Sequence, residues 1–282
     1  MLLLVMTGAM FSCMHGTIRF ITGGATSVEG LHPFEIAFFR NFFGLVVLLP
    51  LIFRAGFRSL RTTKFKFHFW RSLLQVSSML MFFSALKLSA LADVTALSFL
   101  APLFTTIGAI LFLGEKAKIR RWIALIIGFA GALIILHPGF QEMNLGLVLV
   151  LTSSAIWGGT MLIIKSLART ESSVSIAIYM AILMTPMSLI PAMFYWRMPT
   201  GEEFAGLFVV GLLGTLGHLM LAQAFKEADA SAILPLDFTK LIFASIVGYI
   251  LFSEVPGIWT WIGGGLIFSS ATYVAYRESK QA

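Results

Sequence analysis

The chain has 282 residues, of which 58% are hydrophobic and only 12% charged, with 27 Phe and 25 Gly; its mean hydropathy is +0.92. A soluble domain carries about a quarter charged residues, so these proportions exclude the soluble, disordered, collagenous and coiled-coil classes together. The formal charge of +7 does not point to nucleic acid, because in so apolar a chain Lys and Arg mark one face of a membrane; the lone Cys13 allows neither an internal disulfide nor a Cys-rich metal site.

A helix that crosses a bilayer needs about 20 mostly apolar residues. In chain order the sequence offers ten such segments, at roughly 2–21, 34–53, 69–88, 93–113, 119–137, 145–165, 174–195, 204–225, 230–252 and 258–276. Turn-rich separators such as Gly23-Gly24, His32-Pro33, His137-Pro138-Gly139 and Pro199-Thr200-Gly201 divide them. Barrel strands would be shorter and would alternate polar with apolar. The first segment lacks the basic lead and small-residue cleavage pattern of a signal peptide and carries His15 and Arg19, so it reads as a span. The expected fold is an all-α integral membrane protein of ten transmembrane helices.

Alternating the loops between two faces collects Arg54, Arg58, Arg61, Lys64, Lys66, Arg71, Lys116, Lys118, Arg120, Arg121, Lys165, Arg169, Lys226, Arg277 and Lys280 on one of them. The other face and the membrane interior hold only Arg19, Arg40, Lys87, Arg197 and Lys240. This bias places both termini in the cytoplasm and the chain in the inner (plasma) membrane. The basic excess is thus a topology signal, with the lipid bilayer and a small solute as partners and no nucleic acid.

Residues 72–123 align without gaps onto 211–262, pairing Met81 with Met220, Lys87 with Lys226, Glu115 with Glu254 and Trp122 with Trp261. Segment one lies on segment six in the same way, with Ala9, Ile18 and Arg19 opposite Ala155, Ile164 and Lys165. The halves, 1–138 and 139–282, hold five spans each, an odd number, so the second must insert upside down. The loop after Glu115 is basic and its counterpart after Glu254 is not, as opposite faces require. Inverted repeats are the architecture of secondary transporters, whose halves rock about a central site.

Five plus five short spans, Gly114-Glu115 before the fifth and Ser253-Glu254 before the tenth, Arg40 early in span two and the run from Ala92 to Leu103 resemble the drug/metabolite transporter superfamily. The likeness is to its EamA branch, in both halves; the span-four run is most similar to the subgroup that includes S-adenosylmethionine carriers. The resemblance implies a central cavity lined by helices 1–4 and 6–9. It also implies that helices 5 and 10 are peripheral and are a homodimer contact. Those two spans carry small residues at close spacing, among them Gly128, Gly131, Gly263 and Ser270, for which packing within one chain is an equal explanation.

An ionisable side chain at membrane depth is a functional hypothesis by default. Asp237 and Lys240 share one face of span nine, and Pro235 frees a backbone carbonyl beside them, as Pro102 does in span four. A self-neutralising ion pair is the alternative to a site. Arg40, beside Asn41, either snorkels outward or joins the site, and His15 and His218 lie at similar depth, where protonation could couple to transport. Gln75, Ser98, Trp157 and Tyr179 complete the candidate substrate-binding set. No nucleophile elbow, zinc motif or P-loop is present, so no enzyme, metal or cofactor is expected. The expected function is secondary transport of a small polar or zwitterionic metabolite, amino-acid-like or nucleotide-derived; a membrane enzyme and a non-transporting scaffold are the alternatives.

Overall fold

The computed structural model describes residues 2–24, 30–55, 62–113, 119–136, 144–168, 170–171, 173–227 and 239–279. Glu115, Pro235 and Asp237 lie outside them, as do the side chains of Lys165 and Gln223. Eleven α-helices occupy the described residues: α1 (Leu2–Ile21), α2 (Pro33–Ala55), α3 (Phe65–Leu88), α4 (Leu91–Ser98), α5 (Ala101–Leu113), α6 (Ile119–Leu136), α7 (Leu145–Ala168), α8 (Ser173–Met193), α9 (Gly201–Glu227), α10 (Thr239–Phe252) and α11 (Ile258–Ser279). Together α4 and α5 form span four, and α10 is the described part of span nine. Five windows, Pro33–Pro50, Leu91–Phe112, Leu145–Ile164, Ser175–Met193 and Gly201–Met220, are long and apolar enough to cross a membrane.

The halves pack as a two-fold. The most extensive helix contacts join α3 to α7, α6 to α11, α1 to α9 and α2 to α8. Exchanging every span for its counterpart five spans away turns the α3–α7 pair into α9–α1 and leaves α2–α8 and α6–α11 unchanged. The same exchange turns α1–α10 into the contact of α7 with α4 and α5. With five crossings in each half, such a scheme is an inverted repeat. Loop contacts obey the same parity. Asn144 Nδ2 donates to the Leu88 carbonyl (3.1 Å) and the Arg197 N–H to Glu35 Oε1 (2.9 Å) on one face; Thr62 Oγ1 donates to Glu171 Oε1 (2.6 Å) on the other. The face where α1, α3 and α8 begin is called near below, and the face where α2, α7 and α9 begin is called far.

The exterior is apolar: Phe20, Phe53, Phe112, Ile126, Ile190 and Ile250 are all exposed, as suits a chain whose solvent is lipid. Inside, Ile18, Leu31, Leu97, Leu103, Leu207 and Leu241 are fully buried. Span four breaks at Phe99 and Leu100. Pro102 has no N–H for the Ser98 carbonyl, and its ring crowds that oxygen. The helix answers with three-residue bonds, Phe99 N–H to the Ala96 carbonyl (3.3 Å) and Leu100 N–H to that of Leu97 (3.1 Å), before α5 resumes. Ser154 Oγ on α7 also donates to the Leu97 carbonyl (3.4 Å), so the irregular backbone is held from inside the bundle.

The small residues of α6 and α11 serve the contact between these two helices. A Cβ on Gly131 would lie 2.6 Å from the Gly263 carbonyl oxygen, and one on Gly263 would lie 2.5 Å from that of Gly131, so only glycine permits this approach. Ser270 Oγ donates to the Ala124 carbonyl across the same seam. Trp122, Trp259 and Trp261 are exposed at the ends of this pair, away from the interior.

Candidate functional site

At the centre of the bundle the polar side chains gather around one ring, that of Phe11 on α1. His218 of α9 meets it edge-on at 5.0 Å between centroids, and His15, one turn further along α1, lies 6.4 Å away. The Lys240 ammonium of α10 sits 5.5 Å from the Phe11 centroid, within cation–π range. His15 also packs against Phe82 of α3 at 5.0 Å.

Small residues create this arrangement. On α9, Gly211, Gly214 and Gly217 recur every third residue, and the surface they leave seats Phe43, Arg40 with Met14, and Phe11 in turn. A Cβ at 214 would come within 2.9 Å of Met14 Sδ and 3.2 Å of Arg40 Nε. The Arg40 guanidinium therefore lies between α2, α1 and α9, and its Nη1 donates to Asn41 Oδ1 (3.0 Å). Asn41 is held in turn by Ser188 of α8, whose Oγ accepts from Nδ2 at 3.1 Å. On α1, Gly8 and Ser12 admit α10 closely enough for Ser12 Oγ to donate to the Lys240 carbonyl (3.0 Å).

Among the described residues the charges around these rings are of one sign. Lys240 and Arg40 act on His15, and Arg40, Lys240 and Arg71 act on His218. Among the described residues, the charged side chains that reach these two imidazoles are cationic. Asp237 lies outside those residues. An aromatic ring flanked by guanidinium, ammonium and imidazole groups suits a solute with an anionic group and a flat π-system.

The other candidates fall elsewhere. Ser98 ends α4 with its hydroxyl donated to the Thr95 carbonyl of its own helix (2.7 Å), and Trp157 is half-buried on α7. Gln75 and Tyr179 belong to a second cluster between α3 and α8. His68, Arg71, Ser72 and Gln75 stand at helical spacing on one face of α3, and all four are buried. The His68 ring stacks on Tyr179 at 4.4 Å. Arg71 donates to the Ile176 carbonyl (3.2 Å) and to the Met180 thioether (3.3 Å), and Gln75 Nε2 shares that sulfur at 3.5 Å. Among the described residues, both ring nitrogens of His68, Nε of Arg71, Oγ of Ser72 and Oε1 of Gln75 have no hydrogen-bond partner. Arg71, grouped by its sign with the loop charges in the sequence reading, is instead inside the bundle. A charge count registers depth only by segment, whereas the facing helix α8 covers this stretch of α3.

A third group lies at the far face, and its central residue went unrecognised in the sequence reading. Arg19, at the end of α1, pairs with Glu254 from the loop between α10 and α11 and donates to the Leu86 carbonyl (3.0 Å). The second Glu254 oxygen accepts from the Leu91 N–H (3.2 Å), and Thr260 Oγ1 donates to Asp93 Oδ1 (2.5 Å) beside it. Ser253, at φ 55°, turns the chain through the left-handed region to bring Glu254 back over the helix ends. The alignments of Arg19 with Lys165 and of Glu254 with Glu115 contained the signal, had the two been considered together.

The sequence matches the EamA-like transporter family over residues 2–137 and again over 144–276. It is 35% identical over 250 residues to an S-adenosylmethionine uptake transporter of Rickettsia felis, covering 89% of this chain and 85% of that one. It is 33% identical over 256 residues to a riboflavin transporter of Vibrio cholerae, covering 90% and 86%. A solved crystal structure superposes with a TM-score of 0.62 at 18% identity, over 99% of this chain and 98% of that one; it supports the fold alone.

Proposed function

The chain belongs to the EamA-like transporter family and is a membrane transporter of small metabolites, and on that premise we propose that it moves a solute combining a carboxylate with a flat heteroaromatic ring. The observation that carries this reading is the convergence of Lys240, His15 and His218 on Phe11, with Arg40 against Gly214 one turn along α9 from the Gly217 that seats Phe11. The cations hold the carboxylate; Phe11, His15 and Phe82 offer faces and edges to the ring. Among the solutes named for relatives, S-adenosylmethionine has both features, and riboflavin has the ring without the carboxylate. S-adenosylmethionine, whose carboxylate is accompanied by an ammonium and a sulfonium, is the first candidate, and riboflavin is the second reading.

Transport proceeds by alternating access of the two halves, 1–138 and 139–282, with the near face in the cytoplasm of a cell whose inner membrane holds the chain. The Arg19–Glu254 pair closes the far face in the present state. Lys165 and Glu115 are its counterparts in the repeat alignment, so alternation would exchange one ionic contact for its symmetry mate. His15 and His218 take up the proton if the carrier is proton-coupled, and Asp237, three residues before Lys240 in the sequence, is assigned to the same substrate-binding set. A homodimer would form through the exposed outer faces of α6 and α11, because their small residues are occupied within the chain.

The test is uptake of S-adenosylmethionine and of riboflavin into proteoliposomes, with and without a pH gradient. Uptake of S-adenosylmethionine that Arg40→Gln abolishes supports the reading. Riboflavin uptake alone, indifferent to Arg40→Gln, replaces it with the second. No uptake of either solute refutes both.

A further inference from the structure

We infer that His68, Arg71, Ser72 and Gln75 on α3, with Met180 of α8 opposite, form a second binding site, an oxyanion cradle for the carboxylate or phosphate of a solute in passage between the central cluster and the near face. Its role rests on the transport reading above; its existence rests on the geometry.

The four side chains occupy successive turns of one helix face and are at most 6% exposed. Between them they present the guanidinium of Arg71, the amide of Gln75, the hydroxyl of Ser72 and an imidazole N–H of His68. Among the described residues, Arg71 Nη1 finds the Ile176 carbonyl, and the other acceptors are poor. Arg71 Nη2 and Gln75 Nε2 converge on a single thioether, at 3.3 and 3.5 Å, and Arg71 Nε, Ser72 Oγ and both His68 nitrogens meet none. A thioether is a weak acceptor, and an anionic oxygen in its place would take charge-assisted bonds from the same two donors. Methionine is unbranched and flexible, so Met180 can swing aside without backbone movement. His68 stacked on Tyr179 walls the cradle toward the near face, and two turns beyond Gln75 on the same helix Phe82 packs against His15 of the central cluster. One helix thus borders both places, as a relay of an anionic group requires.

The experiment uses the whole chain, purified in a maltoside detergent that carries no phosphate, and reads the midpoint of thermal unfolding. Inorganic phosphate is compared with sodium chloride at matched ionic strength. The expected result is a phosphate-specific rise in the midpoint that Arg71→Gln abolishes and Arg71→Lys reduces. Ser72→Ala and Gln75→Leu should each need several-fold more phosphate for the same shift, and they decide the matter if Arg71→Gln does not fold. A parent protein indifferent to phosphate, or variants that respond as the parent does, overturns the inference. Replacing phosphate by a short-chain phosphatidic acid tests the lipid source: protection by the lipid alone makes the cradle a headgroup site and overturns the solute assignment. A parent protein that shows no phosphate effect yet takes up S-adenosylmethionine refutes the cradle and leaves the carrier reading standing.

Discussion

Arg19 and Arg71 are buried almost equally, at 5% and 4% exposed, and each lies within two turns of a helix end, yet their surroundings are opposite. Arg19 has a carboxylate, a backbone carbonyl and the face of Phe252, 5.2 Å from its guanidinium carbon. Arg71 has a carbonyl and a sulfur; among the described residues the Nε of both arginines lacks a partner. Each unsatisfied buried donor costs about 1–3 kcal/mol. A chain that tolerates several such groups on one helix face, while giving an arginine at the opposite face a carboxylate, is using the two for different purposes. The first is a joint between the halves. The second is capacity held for a ligand.

The largest effect should come from breaking the joint. Glu254→Ala leaves Arg19 buried without its counter-charge. Because the Glu254 side chain is 24% exposed, the loss should be about 2–3 kcal/mol, below the full cost of breaking a buried pair. Thermal unfolding of the single variant and of Arg19→Leu/Glu254→Leu checks it, since the double variant removes both charges and should recover most of the loss. A single variant as stable as the parent would reduce the pair to a surface contact.

The central cluster should respond less. Gly214→Ala pushes a methyl group toward Met14 Sδ and Arg40 Nε, both flexible side-chain atoms, and should cost about 1 kcal/mol while raising the KM for solute uptake more than it lowers the maximal rate. Unchanged uptake would detach Arg40 from the site.

Arg71→Met is the sharpest contrast with Glu254→Ala, since the sign should differ. Removing a poorly paired guanidinium in favour of an apolar side chain should leave stability unchanged or raise it by up to about 1 kcal/mol, and should slow uptake. A loss of stability as large as that of Glu254→Ala would make Arg71 a structural residue after all.

The smallest effect concerns pH at the far face, outside the spans. His32 stacks on Tyr195 at 3.8 Å, and burial, aided by the charge of Lys87, lowers its pKa from the usual 6.5. The unfolded chain therefore binds this proton more readily, so the contribution is intact above pH 6.5 and declines as the pH falls below it. His32→Gln should flatten that part of the stability–pH curve; an unchanged slope would assign the acid sensitivity elsewhere.

Much of this was legible in the linear chain because the bilayer imposes a length and a polarity on every crossing. Among the described residues the span ends could be read to within a few residues, and an odd number in each repeat required the inversion seen in the helix pairing. Pro102 announced the break in span four because its effect is local. The cation-rich centre was only partly visible: Arg40, His15, His218 and Lys240 stood out as polar residues at depth, but their meeting point at Phe11 did not. Phe11 is one of 27 phenylalanines, and nothing in its own stretch distinguishes it.

The distinction between Arg19 and Arg71 belonged to tertiary structure. The partner of Arg19 lies 235 residues away, and its approach depends on the packing of α1 against α10 and on the turn at Ser253. The polar face of α3 is regular enough to be seen as a stripe, but a stripe of His, Arg, Ser and Gln near a basic loop reads equally well as a solvated helix end until α8 covers it. The sequence by itself determined what must be apolar, where the chain must turn and that its halves oppose one another, since these follow from short-range chemistry and the thickness of the membrane. Which buried cation receives a counter-charge and which does not was decided only when distant helices came together, because pairing acts over a few ångströms and the chain brings those atoms close only in the folded bundle.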